Sequence, residues 1–337
     1  SAARPKDANR RGKRSIAVNL KADGAAAIVL DLCRKADILI EGFRPGVAER
    51  LGLGPDDVHA VNPALVYGRL TGWGQTGPLA DRAGHDINYI SLTGALAAIG
   101  EADRPVPPLN LVGDYAGGSL MLVFGVMAAL VSARESGRGQ VVDAAMTDGS
   151  AAIMSLIHSL RASGIWQDRR EANIIDGGTP FYRCYETADG FHMAVGAIEP
   201  QFFAELIRGL ELPDDWCSRQ YDASGWPDMQ QEFARLFKQK TRTEWTAIFE
   251  GIDACVSPVL DMAEAPDHPH NQARQTFIDQ DGYRQPAPAP RFSATPPGRP
   301  GEPFFQGEHT RHILAEAGYD DTAIDQLIAD GKVMSAQ

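Results

Sequence analysis

Between Ala25 and Cys33 the apolar residues Ala25, Ala26, Ile28, Val29, Leu32 and Cys33 recur at helical spacing, and residues 37–40 follow as a short apolar run of strand length. Residues 45–51 and 55–61 read as short helices, each with a proline near its start, where the ring's fixed φ suits a first turn. Residues 64–70 read as the next strand. Strands and helices alternating in this way predict a mostly parallel sheet covered by helices, an α/β architecture. Residues 87–99, 115–134 and 148–162 are helical in pattern, and 137–146 supply a turn and another strand. The texture changes near Gly177. Residues 182–187 and 191–195 flank Ala188-Asp189-Gly190, a strong hairpin signal. Helices are expected at 201–210, 228–238 and 243–252, an extended connector at 283–304 with its seven prolines, and short helices at 309–317 and 321–328.

The 337 residues suffice for about two domains. Lys and Arg total 32 against 44 Asp and Glu, a formal charge of −12, which argues against nucleic acid or an anionic membrane surface as a general partner. A local basic patch for a small anion is compatible with that average. The longest nearly uninterrupted apolar stretch, 120–131, is shorter than the roughly 18 residues of a membrane-spanning helix. It is expected to be a buried core helix. Residue 1 opens no secretory leader and 335–337 is no peroxisomal address, so a cytoplasmic location is expected. Cys33, Cys184, Cys217 and Cys255 make no C-x-x-C pair, and no metal site is expected.

Gly72-Trp73-Gly74-Gln75-Thr76-Gly77 satisfies G-x-G-x-x-G after a strand, but Pro78 stands where a phosphate-binding helix would open and no acidic residue follows at the dinucleotide distance. A glycine-rich structural loop is the better reading. In Gly84-His85-Asp86-Ile87-Asn88-Tyr89 the histidine opens an apolar helix. The positive end of the helix dipole there favours a neutral, proton-accepting imidazole, although a capping or core histidine gives the same pattern. Asp114, after Asn110 and before Gly117-Gly118, stands where an N-cap would sit. The two glycines would let a ligand approach free amides. Glu199 before Pro200 is either functional or the start of a surface helix. Among the other histidines, Asp267-His268-Pro269-His270 reads as a loop, and His192 and His312 join no motif.

The ordered series KRSIAVNLK, EGFRPGVAERLGL, YGRLTGWGQTGP, GHDINY, PPLNLVGDYAGG, VGAIEPQF and GEHTRHILAEAGY resembles the class III CoA-transferase family, and within it the α-methylacyl-CoA racemase branch. GHDINY discriminates, because the family's transferases keep the aspartate but generally lack this histidine. The resemblance implies that His85 and Asp114 are an acid/base pair, with Asn110 and Glu199 as supporting groups and Glu199 supplied across a subunit boundary. It places Val18, Asn19, Leu20, Lys21, Gly42, Arg44 and Arg50, with Gly84, Asp86, Ile87, Asn88 and Tyr89, on CoA-contacting stretches.

The implied fold is a Rossmann-like large domain at 1–180, short of the family's first βαβ unit at its front, a smaller α+β domain at 181–295, and a return of 296–337 to the large domain. The implied assembly is an intertwined homodimer. The implied reaction is interconversion of (2R)- and (2S)-2-methylacyl-CoA by 1,1-proton transfer, the substrate bringing its own CoA and no cofactor being needed. Two groups flanking C2 serve its two faces, and amides around residues 114–117 are expected to meet the enolate oxygen. Arg10, Arg11, Lys13, Arg14 and Lys21 either contact CoA phosphates or form a solvated charged face. The alternatives are acyl-CoA transfer with Asp114 as nucleophile and an inactive acyl-CoA-binding subunit.

Overall fold

The computed structural model describes residues 4–280 and 282–336. Along the chain β1 (Ala17–Val18) leads to α1 (Ala25–Cys33), β2 (Ile38–Glu41), α2 (Val47–Arg50), α3 (Pro55–Val61) and β3 (Val66–Thr71). Next come α4 (Asp86–Ser91), α5 (Ala95–Ala98), a π-helix (Leu111–Leu120) continuous with α6 (Met121–Ser136), β4 (Val141–Ala145), α7 (Met146–Ile153) and α8 (Ser155–Ala162). The remainder is β5 (Tyr182–Glu186), β6 (His192–Gly196), α9 (Pro200–Gly209), α10 (Trp226–Phe237), α11 (Arg242–Phe249), β7 (Val256–Pro258), α12 (Pro269–Arg274), β8 (Phe277–Gln280), β9 (Tyr283–Pro286), α13 (Thr310–Ala317), α14 (Asp321–Ala329) and β10 (Val333–Met334).

Several expected helices are cut. Gly94, at φ +85°, separates α4 from α5, and Met154 separates α7 from α8. The proline-rich connector is extended only in part, since β8 and β9 pair as a hairpin at its start, Gln280 opposite Tyr283.

Two compact units divide the chain, one from Ser1–Gly68, Val126–Val142 and Leu260–Gln337, the other from Arg69–Gly125 and Asp143–Val259. In the first, which holds β2 and the opening residues of β3 and β4, the Val66 amide donates to the Asp37 carbonyl and the Tyr67 amide to Gln140, each partner lying just before its own strand. The three strands therefore start together and run parallel in the order β2-β3-β4, the helices supplying the crossovers. One small core gathers Cys33, Val58, Leu65 and Tyr67. A second joins Ile28 to Leu314, Ile324 and Val333, drawing the C-terminal helices onto α1. There β1 pairs antiparallel with β10, Val18 opposite Val333.

The second unit holds the antiparallel sheet β5-β6-β7, whose register sets Cys184 opposite Ala194 and Ala194 opposite Ser257. Tyr185, Met193 and Val195 from this sheet are buried with Phe203, Phe233, Phe237, Trp245 and Phe249 from α9, α10 and α11. The Tyr185 and Phe237 rings stack at 5.1 Å.

The apolar stretch 120–131 is not the buried core helix its composition predicts. Leu122, Val126, Ala129 and Ala133 are buried, but Leu120, Val123, Phe124, Met127 and Val131 are exposed, Phe124 to 74%. With the π-helix it makes a 26-residue helical run that contains an 18-residue window of mean hydropathy 1.9, so length and composition alone would let it cross a membrane. A core helix of a soluble protein passes the same test.

Candidate active site

Two elements of the second unit carry the candidate proton carriers. His85 is the exposed N-cap of α4, its extended backbone (φ −132°) turning the chain into the helix. Its amide donates to Asn88 Oδ1 at 3.1 Å, so the Asn88 side chain closes the helix start. Asp114 is not an N-cap. It lies inside the π-helix, whose cap position is Asn110, and its carboxylate is half-buried. Asn110 Nδ2 donates to Asp114 Oδ2 at 3.2 Å, a four-residue reach along one face.

The link between the two elements is Asp86. Its side chain is buried, and Oδ2 accepts the Asp114 amide at 2.7 Å. Its other oxygen, Oδ1, is buried without a hydrogen-bond partner. The resemblance places Asp86 on a CoA-contacting stretch; its carboxylate turns inward onto the π-helix.

Glycines set the closeness of the packing. A Cβ at Gly72 would fall 2.0 Å from the Tyr89 ring, and one at Gly84 2.7 Å from it. Tyr89 stands edge-on to Trp73 at 4.8 Å and donates to the Gly84 carbonyl, fixing the peptide that precedes His85. Burial, then the charge of nearby Asp114, push the Tyr89 phenol up. Gly117 and Gly118, expected to admit a ligand, are buried instead: Gly117 faces Gly149 and Ser150 of α7, and Gly118 faces Met146. The amides of residues 114–117 are also taken, Asp114's by Asp86 and the next three by the i→i+5 ladder. Asp86 and Ile87, by contrast, open α4 beside His85 with first-turn amides that have no intrahelical acceptor.

The model of CoA-transferase family III matches residues 5–310. The chain belongs to this family. It is 46% identical over 329 residues to the α-methylacyl-CoA racemase of Mus musculus, covering 96% of this chain and 86% of the relative. The Homo sapiens racemase is 46% identical over 324 residues, covering 95% and 85%. A CaiB/BaiF family protein from Brucella suis has the same mixed α/β fold at TM-score 0.77, with 26% identity and coverage of 91% and 82%.

The stretches that the resemblance assigns to CoA contact have residues in both units. In the first unit, Gly42 and Arg44 follow directly on the C-terminal end of β2, where open parallel sheets present ligands. Arg44 and Arg50 are exposed, and Arg50 ends α2. Val18 is in β1, and Asn19 is tied to the C-terminal segment by its amide to Lys332 and its Nδ2 to Gly331. Leu20 is half-buried and Lys21 exposed.

Four residues of the neighbouring basic cluster have partners within the chain. Arg11 donates to Gln285 at 2.6 Å and to the Pro286 carbonyl, Arg14 pairs with Glu316 at 2.8 Å, Arg10 with Asp7 at 3.2 Å, and Lys13 donates to the Asn9 carbonyl. The partners of Arg11 and Arg14 lie about 270 to 300 positions away, where a linear sequence cannot show them.

Glu199 is the exposed N-cap of α9 and makes no side-chain capping bond. It lies near Cys255, whose thiol is pushed up by burial and then by Asp253 and Glu199. Among the described residues no hydrogen bond joins it to His85 or Asp114. Residues 267–270, read as a loop, are instead a helix junction: Asp267 ends a short 3-10 turn, His268 caps α12 and His270 lies within it, and no group of three metal-ligating side chains occurs among the described residues.

Proposed function

We propose that this family III chain is an α-methylacyl-CoA racemase, interconverting (2R)- and (2S)-2-methylacyl-CoA by 1,1-proton transfer. The observation that supports the reading is the bond at 2.7 Å between Asp86 and the Asp114 amide, which ties the π-helix carrying Asp114 to the residue next to His85. The mouse and human relatives bear the racemase name.

One of the pair removes the C2 proton from its face. The C–H electron pair becomes the C1–C2 double bond and the thioester C=O pair moves onto oxygen. The other, protonated, returns a proton to C2 from the opposite face, which inverts the centre. A thioester α-proton is far less acidic than either conjugate acid, so the enolate oxygen needs donors. Losing one such donor typically costs about 2.7–4 kcal/mol. The first-turn amides of Asp86 and Ile87 supply it here.

Exposed Arg44 and Arg50 bind the CoA phosphates, which is supported by their place after β2 and at the end of α2. The exposed row Leu120, Val123, Phe124, Met127 and Val131 is covered by a second copy in a homodimer.

The test is incubation of each epimer in D2O. Deuterium at C2 with formation of the other epimer is expected; neither, from folded protein, refutes the reading. His85→Ala should leave exchange in only one epimer, the one served by Asp114. The half-buried, Asn110-braced carboxylate of Asp114 also suits acyl transfer, in which it attacks the thioester carbon and CoA thiolate leaves. An acyl or CoA adduct on Asp114 in mass spectrometry, with turnover requiring an acid acceptor, would establish that alternative. Calorimetric CoA binding with neither exchange nor transfer would indicate a binding subunit.

A further inference from the structure

Asp86 is the one carboxylate in this region that is both deeply buried and bonded to the backbone of a candidate proton carrier. Burying a charged group is costly unless its hydrogen bonds offset the lost hydration. Asp86 meets that condition through one oxygen only, because Oδ1 has no partner. Gly113, immediately before Asp114, is cut to fit the arrangement: a Cβ there would lie 2.6 Å from Asp86 Oδ2 and 2.9 Å from its carboxyl carbon. Only a residue without a side chain lets the carboxylate reach the Asp114 amide.

The bond also falls at a special place along the chain. Asp114 is in the first turn of a π-helix, where an amide has no intrahelical acceptor and local geometry depends on what it finds instead. We propose that Asp86 is a positioning residue: by holding the Asp114 amide it fixes the opening turn of the π-helix, so that the Asp114 carboxylate faces the reacting carbon from the side opposite His85. The inference rests on the racemase reading and deepens it. Asp86 itself does not touch substrate through its side chain.

A purely structural Asp86 and a positioning Asp86 differ in what happens to the two faces of C2. Deuterium exchange from each epimer in D2O reports one base at a time. The epimer that still exchanges in His85→Ala is the one whose proton faces Asp114. Asp86→Ala should slow that epimer's exchange about tenfold or more, since a displacement of the order of an ångström is enough to do so. Exchange of the His85-facing epimer should fall much less, so that the two losses stay clearly unequal.

Asp86→Asn keeps an oxygen that accepts the Asp114 amide and should recover most of the lost rate. Gly113→Ala, which pushes the carboxylate off the amide, should reproduce the one-sided loss, and these two variants carry the test if Asp86→Ala does not fold. Equal slowing of both epimers in folded variants, no slowing of either, or an Asp86→Asn rate no better than that of Asp86→Ala would overturn the positioning role while leaving the racemase reading intact. Absence of exchange in the wild-type protein would overturn both.

Discussion

Gly149→Ala should damage this protein more than a one-carbon change in a helix ordinarily does. The added Cβ would sit 1.8 Å from the Gly117 carbonyl oxygen, 2.6 Å from its carbon and 2.9 Å from its Cα, all backbone atoms of the π-helix. No rotamer change relieves a clash with backbone. Ordinary contact requires the two helices to part by about 1.5 Å at this crossing. Alanine's better helix propensity returns about 1 kcal/mol at most, whereas overpacking costs about 1–3 kcal/mol, so destabilisation wins. Asp114 is three residues before Gly117 on the displaced helix, and if it carries the proton as proposed, a shift of that size is worth roughly 10²-fold in rate. Urea unfolding and deuterium exchange on the same preparation measure both effects. A variant with wild-type midpoint and wild-type exchange from both epimers would show that the Gly117–Gly149 approach does not hold the site.

Asn110→Ala removes the side-chain donor to Asp114 at 3.2 Å; the bond is exposed, so exchange from the Asp114-facing epimer should fall only about three- to tenfold with little change in thermal stability. Arg44→Ala should raise the KM for acyl-CoA with kcat nearly unchanged, the signature of binding shared by ground and transition states. Glu308 is held down to about 2, first by its hydrogen bond from Arg4 and then by the Phe305 amide. Its folded pKa is depressed, so the stabilisation is present above the unfolded value near 4.5 and is lost as pH falls toward about 2. The gap in urea midpoint between wild type and Arg4→Ala should therefore be widest above about pH 5 and close on acidification.

The parts of the fold that depend on neighbouring residues were legible in the sequence. The helical spacing of 25–33, the Asp-Gly turn between β5 and β6 and the paired prolines of α2 and α3 act within a few positions, and the elements stand where they point. The β1–β10 pair was not legible, because Val18 and Val333 are over 300 residues apart and each strand is only two residues long. The π-helix was equally invisible. A ten-residue i→i+5 ladder has too few turns for its wider period to stand out from an α-helix, so Asp114 looked like a cap and its amide like a free donor. Gly117 and Gly118 carried a real signal of close approach, but the partner that approaches is α7 rather than a ligand. The motifs single out His85, Asp114 and Asn110 as candidates, while the Asp86 contact with the Asp114 amide spans 28 positions and is written in neither motif.

The pairing of the first strand with the last has a cost in time as the chain leaves the ribosome. The second unit has all of its residues once Val259 has emerged, but the first cannot close its small sheet until Val333 and Met334 are made, about 75 residues later. At about 5–20 residues per second that is a wait of roughly 4–15 s. Throughout it Ile28, which will be covered by Leu314 and Ile324, has no partner from the C-terminal helices. Nascent chains stalled before α13 should accordingly be the species that chaperones hold and proteases cut, with cleavage falling in the N-terminal segment while the β5–β7 sheet survives.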